Sequence, residues 1–136
     1  MRKGQTKTTQ LIESKQKCNR PTIVLMTRWH ATYRCKSRLS KEIGALKAAK
    51  IQENLTKHTI NVARGIQREG LANVKVAFDG IGIKAAKKWA LKNEIKTVST
   101  QGLGNLGTKM KRQFLKTLTK ESISQKNPNS ILLIGT

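Results

Sequence analysis

Val74-Lys75-Val76-Ala77-Phe78-Asp79-Gly80-Ile81-Gly82-Ile83-Lys84 is the stretch on which the fold turns. Val74, Val76 and Phe78 alternate with Lys75 and Ala77 at the period of two that a strand requires, and the run stops at a pair of glycines. From residue 85 the period lengthens to that of a helix. Ala86, Trp89 and Ala90 fall on one face and Lys87, Lys88 and Lys92 on the other, so a helix is expected over residues 85–93. A strand that passes through a glycine turn straight into an amphipathic helix is a unit of α/β architecture.

Working upstream, Leu55, Val62, Ala63 and Ile66 form a helical stripe over residues 55–69, and Gly70 is the expected stop. Before it, residues 37–50 carry Arg38, Lys41, Lys47 and Lys50 around Gly44 and read as a loop or helix edge. Trp29, Ala31, Tyr33 and Cys35 alternate with His30, Thr32, Arg34 and Lys36, which predicts a half-buried strand with a basic outer face. Thr22-Ile23-Val24-Leu25-Met26, entered through Pro21, reads as the first buried strand. Residues 1–20 mix Lys, Gln, Thr and Ser without apolar periodicity, as a basic arm would. A matrix-targeting presequence is the other reading of this segment.

Downstream, residues 95–99 read as a strand, and Gly102, Gly104 and Gly107 as a hinge. Thr108 is placed to cap a helix to about residue 122, with Met110, Phe114, Leu115 and Leu118 on one face. Asn127-Pro128-Asn129 predicts a turn before an apolar tail, Ile131 to Ile134. The expected fold class is therefore α/β, a mixed β-sheet flanked by helices, with a basic N-terminal arm and a C-terminal helical extension. Three regions follow: arm 1–20, α/β core 21–101, and hinge, basic helix and tail 102–136.

Against 28 Lys and Arg stand 7 Asp and Glu, a formal charge of +21. Such an excess calls for a polyanion, and nucleic acid answers it better than a membrane surface, because aromatics are scarce and the charges are spread along the chain. No apolar run approaches the roughly 20 residues of a membrane span. Cys18 and Cys35 have neither the spacing of a disulfide framework nor histidines at zinc-finger spacing. Acid–base chemistry usually draws on paired carboxylates or an oriented base, and this chain has one aspartate and two histidines. His30 and His58 are open to either a packing role or stacking on a base. Gly80-Ile81-Gly82 lacks the third glycine of a dinucleotide fingerprint, although its backbone and the helix behind it could approach a phosphate.

These residues lead to the expectation of an RNA surface with no catalytic group, no metal and no cofactor. Its members are Arg2, Lys3, Lys7, Arg28, Arg34, Lys36, Arg38, Lys41, Lys47, Lys50, Gly80, Gly82, Lys84, Lys87, Lys88, Lys109, Lys111 and Arg112. The densest positive stretch, residues 84–120, has ten basic residues and one acid, Glu94.

The Thr22-Ile23-Val24 strand, its distance from the strand ending at Gly80, and Gly80-Ile81-Gly82-Ile83-Lys84 followed by a helix and Thr97-Val98-Ser99-Thr100 resemble the small-subunit ribosomal protein S11 family over residues 21–101. The resemblance implies a non-enzymatic constituent of the ribosomal platform near the mRNA exit path. Its partners would be small-subunit rRNA and neighbouring ribosomal proteins, with mRNA nearby and neither a membrane nor a small-molecule substrate. Both prolines of that family's glycine turn are missing and its C-terminal motif is replaced, a divergence similar to that of organellar proteins, which implies a mitochondrial ribosome in the matrix, with the cytoplasm or another organelle as alternatives. Arg20-Pro21, His30, Tyr33 and Val76-Ala77-Phe78-Asp79-Gly80 also resemble the large-subunit L18 family. A non-ribosomal RNA or DNA chaperone and a nucleotide-dependent enzyme using residues 80–84 complete the alternatives.

Overall fold

The computed structural model describes residues 20–124 and 130–136, so that the expected arm, Arg20 apart, and the turn at 127–129 lie outside the described residues. The elements are β1 (Thr22–Arg28), α1 (Ser37–Ile43), α2 (Ala45–Arg68), β2 (Asn73–Asp79), α3 (Ile83–Lys92), β3 (Thr97–Thr100), α4 (Leu106–Ser124) and β4 (Ile131–Gly135). They form one four-stranded sheet in the order β3-β2-β1-β4.

The α/β class with helices flanking one sheet is as expected, but the sheet is wholly parallel rather than mixed. The strand expected from Trp29 to Cys35 is what would have mixed it, and that segment is a turn. β1 loses its partners where it ends, because β2 runs into Asp79-Gly80 and β4 finishes at Gly135. Without a neighbour, the backbone finds local partners instead: the Ala31 N–H donates to the Trp29 carbonyl at 2.8 Å and the Arg34 N–H to the Ala31 carbonyl at 3.1 Å.

Parallel strands joined by crossover helices are buried on both faces, and β1 and β2 read accordingly as nearly continuous buried runs. One face carries Ile23, Leu25, Val74, Val76 and Phe78, which pack against Ile60 and Ala63 of α2 and Ala86 and Ala90 of α3. The other carries Val24, Met26 and Ala77, with Ile131 and Leu133 beside them. Ser99, in register with Ala77, donates to the Oε1 of Gln113 on α4 at 3.2 Å, which places α4 on that second face.

Residues 37–50, expected as a loop or helix edge, are α1 and the first turns of α2, with Gly44 between the two helices. Ala48, Ala49, Gln52, Thr56, Ile60 and Ala63 recur every three or four residues on the buried face. That stripe begins in alanine, threonine and glutamine, so its apolar signal was weak where the helix starts. Gly70 stops α2 as expected, with its own N–H and that of Leu71 reaching back to the carbonyls of Gln67 and Ile66.

Candidate functional site

Because all four strands run the same way, their carboxyl ends and the loops that follow share one edge of the sheet. The chain steps from β1 to β2 to β3 in one direction and then returns across the sheet to place β4 on the far side of β1. In open parallel sheets a crevice forms at such a reversal, outside the carboxyl ends of the two strands, and ligands bind there. At the adjoining ends of β1 and β4 lies a hydroxyl and amide cluster in which Thr27, Gln52 and Thr56 are buried and Thr136 is half-buried. Thr136 Oγ1 donates to Thr27 Oγ1 at 2.7 Å, Thr27 and Thr56 share a hydrogen bond of 3.0 Å, and the Gln52 amide donates to Thr56 at 3.1 Å. These groups join α2 to the ends of β1 and β4.

Asp79, the chain's single aspartate, ends β2 on this edge. Its Oδ2 accepts from Arg28 Nη1 at 2.9 Å and from Lys109 Nζ at 3.1 Å, so two cations meet one carboxylate and the cluster keeps a net positive charge. Arg28 also donates through Nε to the Arg34 carbonyl, which ties the loop after β1 to the end of β2. Within that loop Cys35 is buried and its thiol donates to the Ala31 carbonyl at 3.4 Å. Trp29 meets Phe78 and Trp89 edge-on at 5.6 and 6.4 Å. The loop is therefore anchored at three points. Its outer surface encloses an open cavity of about 360 Å³ lined by Arg28, Tyr33, Arg34, Lys36 and Ser37. Three cations, a phenol and a hydroxyl line it, with no acid among them.

The glycine turns frame the same edge. Gly80 takes φ 85, where a side chain would be strained. Gly102 takes φ 77, and a Cβ there would sit 2.7 Å from Arg112 Nη1, which donates to the Gln101 carbonyl while Nη2 donates to that of Leu103 at 2.8 Å. Gln101 itself is buried and donates through Nε2 to the carbonyls of Ala77 (2.9 Å) and Thr27 (3.2 Å), locking β1, β2 and the loop after β3 together. His30 stacks on Trp29 with centroids 4.3 Å apart, and burial pushes its imidazole below the ordinary value; Glu53 opposes that shift, while Lys57 and Lys50 add to it. Among the described residues no group of three or more His, Cys, Asp or Glu side chains could hold a metal ion.

Of the residues expected to bind RNA, Arg28, Arg34 and Lys36 come together at the cavity. Gly80, Gly82 and Lys84 lie beside the same edge, at the turn after β2 and the start of α3. Lys109 and Arg112 are engaged within the protein, by Asp79 and by backbone carbonyls. Lys50 pairs with Glu53 at 3.6 Å. Arg38 and Lys41 on α1, Lys47 on α2 and Lys87 and Lys88 on α3 are exposed on one side of the sheet, and Lys111 on α4 lies on the other. They do not form one face. Arg2, Lys3 and Lys7 lie outside the described residues. Sequence reasoning overlooked Tyr33, assigned to a strand, and Gln101, which no motif marked. The chain's sole aspartate, directly before a glycine turn, was a usable signal for the edge.

No protein-family model matches the chain, and no curated protein sequence does. Its fold is similar to that of a solved structure from Desulfovibrio desulfuricans G20, assigned provisionally as a nucleotide-diphospho-sugar transferase, with a TM-score of 0.62 and 18% identity over 86% of this chain and 47% of that one. The chain thus spans about half the length of the protein it resembles. This likeness overturns the ribosomal expectation in both its S11 and L18 forms, and with it the RNA-binding alternative and the expectation of a protein that is not an enzyme. The resemblance to ribosomal proteins rested on the order and spacing of strand, glycine turn and helix, features that many α/β folds share. What the structure adds is a parallel sheet in the order β3-β2-β1-β4, within a fold similar to that of a protein bearing a sugar transferase's name.

Proposed function

We propose that this chain carries the nucleotide-binding part of an enzyme of the nucleotide-diphospho-sugar transferase type, and that the diphosphate binds in the cavity of Arg28, Arg34 and Lys36. The observation that carries the proposal is the cavity itself: three cations and no acid, beside the carboxyl edge of a parallel sheet. Its volume is within the few hundred Å³ of small-ligand sites. The fold likeness supports the same class of ligand. When a sugar is transferred from such a donor, an acceptor hydroxyl oxygen forms a bond to the anomeric carbon and gives up its proton to solvent, as the bond from that carbon to the diphosphate oxygen breaks and the leaving diphosphate gains negative charge. Guanidinium and ammonium groups fixed around the diphosphate stabilise that charge, because their hydrogen bonds are already oriented. Arg28 is held for this role by Asp79 and by the Arg34 carbonyl.

Calorimetric titration of the full chain with uridine, guanosine and adenosine diphosphates tests the proposal. Binding by at least one is expected. A hydrogen bond to a charged group contributes roughly 1.5–3 kcal/mol, so Arg28→Ala and Arg34→Ala should each weaken binding about tenfold or more. A wild-type chain that is folded by circular dichroism and binds none of the three would overturn it.

A further inference from the structure

Tyr33 is the only tyrosine in the chain, yet it joins neither the hydrophobic core nor the Trp29–Phe78–Trp89 cluster. It is 86% exposed. Its backbone has φ 69, a left-handed conformation that glycine or asparagine adopts readily and a bulky side chain resists. Lys36, three residues on, is also left-handed at φ 46. These two residues turn the chain on either side of Arg34 and buried Cys35. The chain therefore holds an aromatic ring in an unfavourable conformation, on a loop tied down at Arg28, Trp29 and Cys35, and exposes it to solvent. The Tyr33 ring itself gains no core contact in return for that strain, whereas a ligand could supply one.

We infer that Tyr33 is the platform on which the base of a bound nucleotide stacks, while Arg28, Arg34 and Lys36 hold the diphosphate. The inference deepens the proposed function and rests on it: that reading requires an anion site, and this one divides the ligand into a charged part inside the cavity and a flat ring at its lip. All five lining residues fit the division, three as cations, one as a ring and Ser37 as a hydroxyl donor. Stacking of one base on an aromatic side chain supports roughly ten- to a hundredfold in affinity and tolerates either base class, since every base offers a π-face. The site thus prefers a nucleoside diphosphate over inorganic pyrophosphate, and Tyr33 supplies the preference.

Wild-type chain, Tyr33→Gly and Tyr33→Phe are titrated with the best-binding nucleoside diphosphate and with inorganic pyrophosphate, and their melting temperatures are compared. Glycine relieves the backbone strain, so Tyr33→Gly should melt no lower than wild type, lose about tenfold or more of its nucleotide affinity and keep its pyrophosphate affinity. Tyr33→Phe should retain both affinities. If wild type binds nucleotide but Tyr33→Gly binds it equally well, or loses nucleotide and pyrophosphate to the same degree, the base platform is overturned and the diphosphate site stands. If wild type binds neither ligand, the proposed function is overturned and the platform with it.

Discussion

The loops after β1 and β2 lie side by side on the carboxyl edge and solve opposite problems. The turn at residues 80–82 reverses the chain through a glycine, and a Cβ on Gly80 would find nothing closer than Trp29 Cβ at 3.9 Å. It is conformationally permissive and sparsely contacted. The loop from Trp29 to Lys36 has no glycine, holds two non-glycine residues in left-handed conformations, and is fastened by a guanidinium, an indole and a thiol. Glycines draw the eye in a sequence because they mark freedom of the backbone. Strain borne by side chains that could have been glycine marks a place where the side chain matters more than the comfort of the chain.

Both loops depend on one side chain, and removing it is the most damaging way to blur the contrast. Gln101→Ala would leave the buried carbonyls of Ala77 and Thr27 without the amide that now donates to them, at a cost of about 1–3 kcal/mol by chemical denaturation. The loosened strand ends should lower nucleotide affinity as well; unchanged stability would show that water replaces the amide there. Gly80→Ala sharpens the comparison. It should destabilise by about 1–2 kcal/mol, the cost of a side chain in the left-handed region, and leave nucleotide binding unchanged, because the contribution of that turn is conformational. A loss of affinity with no loss of stability would transfer the site from the first loop to the second.

The smallest expected effect concerns pH. The imidazole of His30 binds protons less readily in the folded chain than its ordinary value of 6.5 implies, chiefly through burial. The stability tied to its neutral form is therefore fully present above about pH 6.5 and is lost as pH falls through 6.5 towards the lower folded-state value. Melting temperature should decline over that window, and His30→Gln should flatten the decline. An identical slope in the variant would assign the pH dependence to other groups.

Much of the fold was legible in the sequence, because strands and helices that bury one face record their period in the chain. Val74, Val76 and Phe78, the Gly70 stop, and the helices near 85–93 and 108–122 were all readable within a few residues of their ends. Where the pattern misled, the cause was physical. Trp29, Ala31, Tyr33 and Cys35 have the alternation of a strand, but alternation makes a strand only if a neighbour supplies hydrogen bonds, and of the two neighbours of β1, β4 ends beside Met26 and β2 beside Arg28. Around Ala48 and Ala49 a buried helix face was masked by charged neighbours. The candidate site was half legible: Arg28, Arg34 and Lys36 stood out as basic residues, in a chain where basic residues are everywhere.

The sequence by itself determined most of the elements, the excess of positive charge, and the poverty of acids from which acid–base chemistry could be built. Each of these is a property of neighbouring residues or of a sum over residues. The parallel order β3-β2-β1-β4, the meeting of Thr27 with Thr136, and the cavity that gathers three cations around an exposed tyrosine were decided only by the tertiary structure. Strand order depends on contacts between segments far apart in the chain, and the periodicity within each segment is the same whichever neighbour it pairs with.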